Sequence, residues 1–479
     1  MRLSLAFTVA LLLAGHGATA APVFVNGLAL SGAALDQSGG SSVNNGRVGY
    51  FSDIHYNPVS NEWWGLSDRG PGGGFLSYDT RVQRFTVDID AITGAISNVS
   101  IQQTIVFSDG SDTFTGLAPN PTGVLGHSFD PEGFVINPRN GHMLVSDEYG
   151  PSLYEFNETG EFVRAFTTPA NLVPKVGPTV DYVSTPPTLT AGREPNRGYE
   201  GLAISPDGKY AYAVLQNGTI QDGWTSSDRG RYTRIVKYDA KTGLAVGQYA
   251  YKLESSGQGR GISSLVALGD DKFWILERNN RGVGVGATLA SPDKNVFFID
   301  LNGASDVSNI SLPSTGNLPA GYTAVAKGAK IIDLDANTLA ALGNRSPEKW
   351  EGLAIGPQLS DGGYVVLAGT DNDYSVTQNP GGQQFDVYFR FSDADPYAMS
   401  IQCPLGQVVG CFFTTGGGPA TLTADYALLP GLLYAYKASA LDLDGYVAPG
   451  VPEPVTLSLL ISGLGAFAVR QRQRRRAGR

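Results

Sequence analysis

Residues 200–217, EGLAISPDGKYAYAVLQN, set two short apolar runs on either side of the turn Ser205-Pro206-Asp207-Gly208. Two runs of strand-forming residues around a Pro/Asp/Gly turn are the pattern of a β-hairpin. The pattern recurs as EGFVINPRNGHMLVSDEYG from Glu132 and EGLAIGPQLSDGGYVVLAGTDND from Glu351. Looser copies are VGYFSDIHYNPVSNEWWGLSDRG from Val48 and GISSLVALGDDKFWILERNNRG from Gly261. The five units lie about 60 to 90 residues apart, a long period for a repeat array.

Strand-like runs such as RIVKYD and QYAYKL follow the hairpins, which makes about four strands per unit, the content of one propeller blade. Helical periodicity is scarce and glycine is abundant, 62 of 479 residues, so the expected fold class is all-β, a single β-propeller over residues 21–448. A body of about 430 residues at this spacing predicts six blades, with five and seven left open. The sixth is expected to be completed by the chain-end runs PVFVNG and LLYAYKA. A closed ring lets each blade bury its apolar faces against two neighbours, so no hairpin must be stable alone. The Pro, Thr and Gly-rich inserts 168–193 and 392–429 are expected to be loops over one face.

The two ends read as processing signals. Arg2, the apolar run from Leu3 to Ala14 and the small residues Ala18-Thr19-Ala20 form a secretory signal over residues 1–20, too short to span a bilayer. Residues 449–479 hold the motif Val451-Pro452-Glu453-Pro454, an apolar run over 455–469 and a basic tail over 470–479. This arrangement resembles the PEP-CTERM sorting signal of Gram-negative bacteria. The resemblance implies transient anchoring in the inner membrane by a C-terminal apolar helix, with export and sorting machinery as partners. The body would be delivered to the periplasm, cell surface or extracellular matrix. An apolar helix of this length spans only about 22 Å and needs flanking arginines at an interface; permanent anchoring is the alternative.

Without Arg2 and the tail arginines Arg470, Arg472, Arg474, Arg475, Arg476 and Arg479 the formal charge moves from −10 to −17. An acidic body repels phosphate backbones, which argues against nucleic acid as partner and for divalent cations. Cys403 and Cys411 frame CPLGQVVGC, a spacing that excludes a C-x-x-C site. A disulfide is the reading in an oxidising compartment, with two free thiols as the alternative.

In an antiparallel hairpin the first residue of one strand lies opposite the last of the other. Glu132 is therefore expected to face Asp147, Glu200 to face Gln216, and Glu351 to face Asp371 and Asp373. Asp68 and Glu277 take the equivalent strand ends. If these hairpins are innermost, the acids and Glu148 converge on one mouth of the channel, where like charges raise their own pKa values or recruit a hard cation. Asp68, Glu132, Asp147, Asp371 and Asp373 are the candidate metal ligands, for Ca²⁺ or else Mg²⁺. Glu132, Asp147, Glu148, Glu200, Glu277 and Glu351 are the candidate catalytic carboxylates. Arg69, Arg197, Arg278 and Arg281 are placed to grip an anionic substrate.

The motifs SDRGP, DPEGF, SDEYGPSLYEF, NRGYEGLAISPDG, LERNNRG, EGLAIGP and TDNDYS resemble the phytase-like domain family across nearly the whole mature chain. The resemblance implies a β-propeller with acidic channel residues and phosphoester hydrolase activity. Asn279 departs from it, standing where an acid is expected and removing one ligand from that unit. A G-x-S-x-G elbow, a P-loop and an R-H-G phosphatase motif are absent, and beyond the signal the only histidines are His55, His127 and His142. The expectation is an exported monomeric hydrolase acting on a small phosphoester through a metal-activated water. The alternatives are a non-catalytic envelope or exopolysaccharide-associated propeller with structural calcium, and a lactonase-like propeller.

Overall fold

The computed structural model describes residues 21–39, 46–121, 123–223, 230–255, 257, 259–286 and 288–449. The expected signal segment and the sorting segment beyond residue 449 lie outside these residues. Among the described residues no helix is long and apolar enough to cross a membrane.

Five four-stranded antiparallel sheets form the body. From the axis outward, blade one is Asp53–Asn57, Glu62–Leu66, Arg81–Ile89 and Ile96–Val106. Blade two is Pro131–Ile136, Met143–Asp147, Ser152–Phe156 and Phe162–Ala165. Blade three is Tyr199–Ile204, Tyr210–Leu215, Tyr232–Asp239 and Leu244–Lys252, and blade four is Gly261–Gly269, Lys272–Arg278, Lys294–Asp300 and Ala326–Asp333. Blade five takes Trp350–Gln358 and Tyr364–Thr370 from one part of the chain, then Gly431–Ala438, then Val23–Leu30 from its beginning.

The ring closes on itself. Each first strand touches those of two neighbours, one with two, two with three, three with four, four with five and five with one. Five apolar clusters fill the gaps, each drawn chiefly from two adjacent blades: Trp64 and Phe134 between one and two, Leu144 and Tyr199 between two and three, Tyr212 and Phe273 between three and four, Trp274 and Trp350 between four and five, Trp63 and Val365 between five and one. Successive side chains of a strand therefore enter opposite gaps, as Phe134 and Val135 do. The first strands of blades two and three are buried at every residue, whereas the edge strand Val23–Leu30 is not.

The expected six blades are thus corrected to five. The runs near the two ends do pair, Val23 with Lys437 through to Leu30 with Gly431, but they complete the unit that begins at Glu351. That unit lacks outer strands of its own because a second sheet interrupts it. Val376–Gln378, Gln384–Phe389, Ile401–Pro404 and Phe412–Phe413 form this insert, with Ala427–Leu428 pairing on Gln384–Phe389. Region 392–429, expected as loop, is therefore partly strand and held by the Cys403–Cys411 disulfide. The insert meets blade one and the segment before it through the Tyr78–Tyr374 ring contact and the Arg47–Asp386 ion pair. Region 168–193 is loop apart from one small hairpin, Lys175–Val176 with Thr179–Val180.

Candidate functional site

Each blade begins its first strand and ends its second at the same end of the ring, so charged residues at those positions share one mouth. The expected direct pairing of Glu132 with Asp147 is shifted by a bulge. Pro131 faces Asp147, and the next pair is Phe134 with Val145, which leaves Glu132 and Gly133 in the bulge. Glu200 sits in the same irregularity between Tyr199 and Leu202, and Glu351 between Trp350 and Gly352. A bulge adds a residue to one strand and re-aims its side chain.

The glycine after each glutamate is fixed by the neighbouring blade. A β-carbon on Gly133 would lie 2.5 Å from the Glu200 carbonyl oxygen, and one on Gly201 would lie 2.8 Å from the Leu265 nitrogen. One on Gly352 would meet Ile54 Cγ1 at 2.6 Å. The Glu-Gly pair thus combines a re-aimed carboxylate with the close approach that shuts the ring.

Below the mouth the five first strands, with Tyr446 and Pro449, enclose a cavity of about 50 Å³. The Asp53 carboxylate spans the axis here, accepting from Ile54 N and Phe134 N at 2.9 Å each and from Ser264 Oγ of blade four at 3.3 Å. Burial pushes its pKa up. Neighbouring His55 accepts from Ile136 N at 3.4 Å and is lowered to about 3 by burial, which keeps it neutral. The chemistry-bearing groups lie above this plug.

Asp68, Glu132, Glu148, Glu200, Glu351, Asp371 and Asp373 of the expected set do meet around the mouth, with Arg69, Arg197 and Arg278 between them. The electrostatics report the convergence. Burial raises Glu132, and Glu200, Asp68, Asp130 and Glu148 push it further. Burial likewise raises Glu200, with Glu148 and Glu351 adding and Arg278 and Arg197 opposing. Glu148 is raised by burial against Arg69 and Arg197, and Asp371 by burial against Lys349. Asp68 goes the other way, since Arg69 and Lys349 together outweigh its burial, while burial lifts its neighbour Asp130.

Two expected acids are spent elsewhere. Asp147 turns back on the chain and accepts from Asp130 N at 2.9 Å, Tyr149 N at 3.1 Å and Gly150 N at 2.8 Å; burial still lifts it to about 6. Glu277 points into the gap between blades three and four, accepting from Tyr251 Oη at 2.9 Å, Glu254 N at 2.8 Å, Arg260 Nη1 at 3.2 Å and Lys327 Nζ at 3.0 Å. It pairs with the buried Arg260 and the part-buried Lys327, which also meet Asp293 and Glu254. The next residue, Arg278, alternates to the mouth, donating to Ser263 Oγ at 2.7 Å and pairing with Glu351. Among the described residues Arg281 has no ion pair with the ring; its carbonyl accepts from Lys294. Asn279 has a structural part, taking Asp293 N at 3.0 Å and donating to the Ser291 carbonyl at 2.9 Å.

Sequence reading missed three members. Asp130 binds Arg69, Lys349 donates to Asp371 Oδ2 at 2.8 Å and Asp373 Oδ1 at 2.6 Å, and Glu348 is lifted to about 7 by burial and by Asp373. The signal for two of them was period two, since Asp130 and Lys349 each precede a mouth glutamate by two residues.

Hard oxygen donors are what Ca²⁺ and Mg²⁺ take. Two carboxylate sets place ligand atoms within 4.8 Å of one another, Asp68 with Asp130 and Glu132, and Asp68 with Asp371 and Asp373. Asp130 Oδ1, Glu148 Oε1 and Glu200 Oε2 are buried without a hydrogen-bond partner. Unpaired buried oxygens are costly, so the donor set fits a cation.

Five blades around a plugged axis with a carboxylate-lined mouth define a β-propeller with a single polar centre. The chain belongs to the phytase-like family, described as "Esterase-like activity of phytase", which matches residues 46–374. An uncharacterized secreted protein of Arthroderma benhamiae is 24% identical over 413 residues, 68% of this chain and 80% of that protein. Among solved structures, a streptogramin B lyase aligns over 86% of this chain and 97% of its own at 10% identity and TM-score 0.29. A calcium-binding protein, regucalcin, from Agrobacterium tumefaciens aligns over 73% and 85% at 12% identity and TM-score 0.29. Neither structural likeness bears on the site.

Proposed function

We propose that the mouth is the centre of a cation-dependent hydrolase acting on phosphoesters. The observation that carries this reading is the three buried, partnerless oxygens of Asp130, Glu148 and Glu200 at one opening. A bound divalent ion supplies Lewis-acid polarisation of a phosphoryl oxygen and a water of lowered pKa. Asp68, Asp130 and Glu132 would hold it. Glu200 is fixed through Oε1 by Gln216, and Oε2 stays unpaired. Burial and its acidic neighbours raise the Glu200 pKa, which favours the protonated carboxyl that would give a proton to a leaving oxygen from Oε2. Arg278, tied to Glu351 and Ser263, orients that side of the mouth.

A second reading, hydrolysis of a neutral ester or lactone, is favoured by the pairing of the mouth cations. Arg69 is engaged by Asp130 and Asn196, Arg197 by Gln216 and Asn217, Arg278 by Glu351 and Lys349 by two aspartates. Phosphomonoesters, phosphodiesters with phytate, and lactones assayed with and without chelator decide between them. Chelator-sensitive turnover of phosphoesters is expected. Turnover of lactones alone selects the second reading, and no turnover on any of them leaves a binding propeller.

Export of this body is part of the proposal, supported by the patterns at the two ends, by the Cys403–Cys411 disulfide and by the secreted relative. Mass spectrometry of the protein recovered outside the cytoplasm should give a chain starting near Ala21; an intact residue 1 refutes it.

A further inference from the structure

We propose that the mouth takes one divalent cation, in the corner between blades one and two, and that the Lys349 ammonium permanently fills the matching position between blades one and five. The assignment rests on the cation reading above and fixes where, and how many. Both carboxylate sets contain Asp68, and in each the ligand atoms lie within 4.8 Å, so by acid geometry alone the mouth offers two equivalent positions. Their contents differ.

On the side of blade five, Lys349 Nζ lies 2.8 Å from Asp371 Oδ2 and 2.6 Å from Asp373 Oδ1. These are full-strength charge-assisted contacts, and the ammonium stands where an ion would bridge the two aspartates. Lys349 reaches it from just before the strand that begins at Trp350, opposite the end of the strand that leads into Asp371, and its side chain is only 21% exposed.

On the side of blade two, Arg69 grips Asp130 from the edge through Oδ2, and Oδ1 of the fully buried Asp130 has no partner. No hydrogen bond to the Glu132 carboxylate is found among the described residues, and Glu132 is itself buried. The guanidinium lies against Asp130 Oδ2 and, at 3.9 Å, Asp68 Oδ1, and among the described residues no cation is paired with Glu132. On the other side the protein's own lysine stands between two of the three carboxylates.

The test counts ions bound per chain by calorimetry with Ca²⁺, cross-checked by Tb³⁺ luminescence, on the exported body. Wild type should bind one. Asp130→Asn and Glu132→Gln should bind none over the micromolar-to-millimolar range that carboxylate sites cover. Lys349→Met should bind two, and adding Asp371→Asn to it should return the count to one. In case Lys349→Met does not fold, Asp371→Asn/Asp373→Asn with Lys349 intact is the second arm, and it should still bind one. Two ions in wild type, one in folded Lys349→Met, or none in the double aspartate variant overturns the assignment. The count does not depend on turnover, so a one-ion protein without hydrolase activity supports the assignment while refuting the functional reading.

Discussion

Removing the cation should make this protein less stable as pH rises, and restoring it should matter most at high pH. The sign follows from the buried carboxylates at and beside the mouth whose folded pKa values lie above their unfolded ones; Asp68 is lowered and acts the other way. Asp130, Glu132, Glu148, Glu200 and Asp371 are all raised, Asp147 to about 6 and Glu348 to about 7. Such groups hold protons in the folded state that the unfolded chain has already released. Their favourable contribution is complete below about pH 4 and is lost as pH climbs through each folded value. For Asp147, fully buried and lifted from 3.8 to about 6, the loss is about 3 kcal/mol, complete by about pH 7. A chain of this length unfolds with an entropy of about 0.9 kcal/mol per kelvin, so that single group lowers Tm by about 3 °C. An ion at one hundred times its Kd returns about 2.7 kcal/mol, again about 3 °C. It competes with protons for Asp130 and Glu132, both raised by burial, so its effect grows as pH rises. Calorimetry in chelator and in Ca²⁺ at fixed ionic strength measures both trends. A Tm in chelator that rises from about pH 5 to about pH 8, or a calcium increment equal at both, refutes the reasoning.

Glu277→Gln removes one of the two carboxylate partners of Arg260 and of Lys327 between blades three and four, leaving Asp293 and Glu254. It should cost about 1 to 3 kcal/mol and lower Tm while leaving the calcium affinity untouched; a lost ion with unchanged Tm would return Glu277 to the mouth. Gly201→Ala should cost about 1 to 3 kcal/mol, because its β-carbon meets backbone of blade four at 2.8 Å. Gly269→Ala, with nothing within 4 Å, should cost less than about 1 kcal/mol; equal denaturation midpoints for the two would contradict the close approach.

Much was legible in the order of residues. Period-two apolar runs, Pro/Asp/Gly turns and a recurring Glu-Gly start defined the hairpins, and hairpins in series defined four-stranded blades and one mouth where acids collect. The spacing of Cys403 and Cys411 marked a bridge that is present. These are local properties, fixed by backbone sterics and by which side chains can face a neighbouring sheet.

The number of blades was not local. It depended on Val23–Leu30 pairing with Gly431–Ala438 to finish the blade that Glu351 begins, and on an insert sheet that interrupts that blade. Nor could sequence say which acids stay available. Glu277 and Arg278 are adjacent, yet one faces a blade gap and the other the axis, because a strand reverses its side at every residue. Asp147 and Glu148 differ in the same way, one consumed by backbone amides and the other left with an unpaired oxygen. Whether Asp371 and Asp373 await a metal or already hold a lysine is decided by how the Lys349 side chain reaches across the open end of its hairpin, in a medium where each buried charge must find a partner.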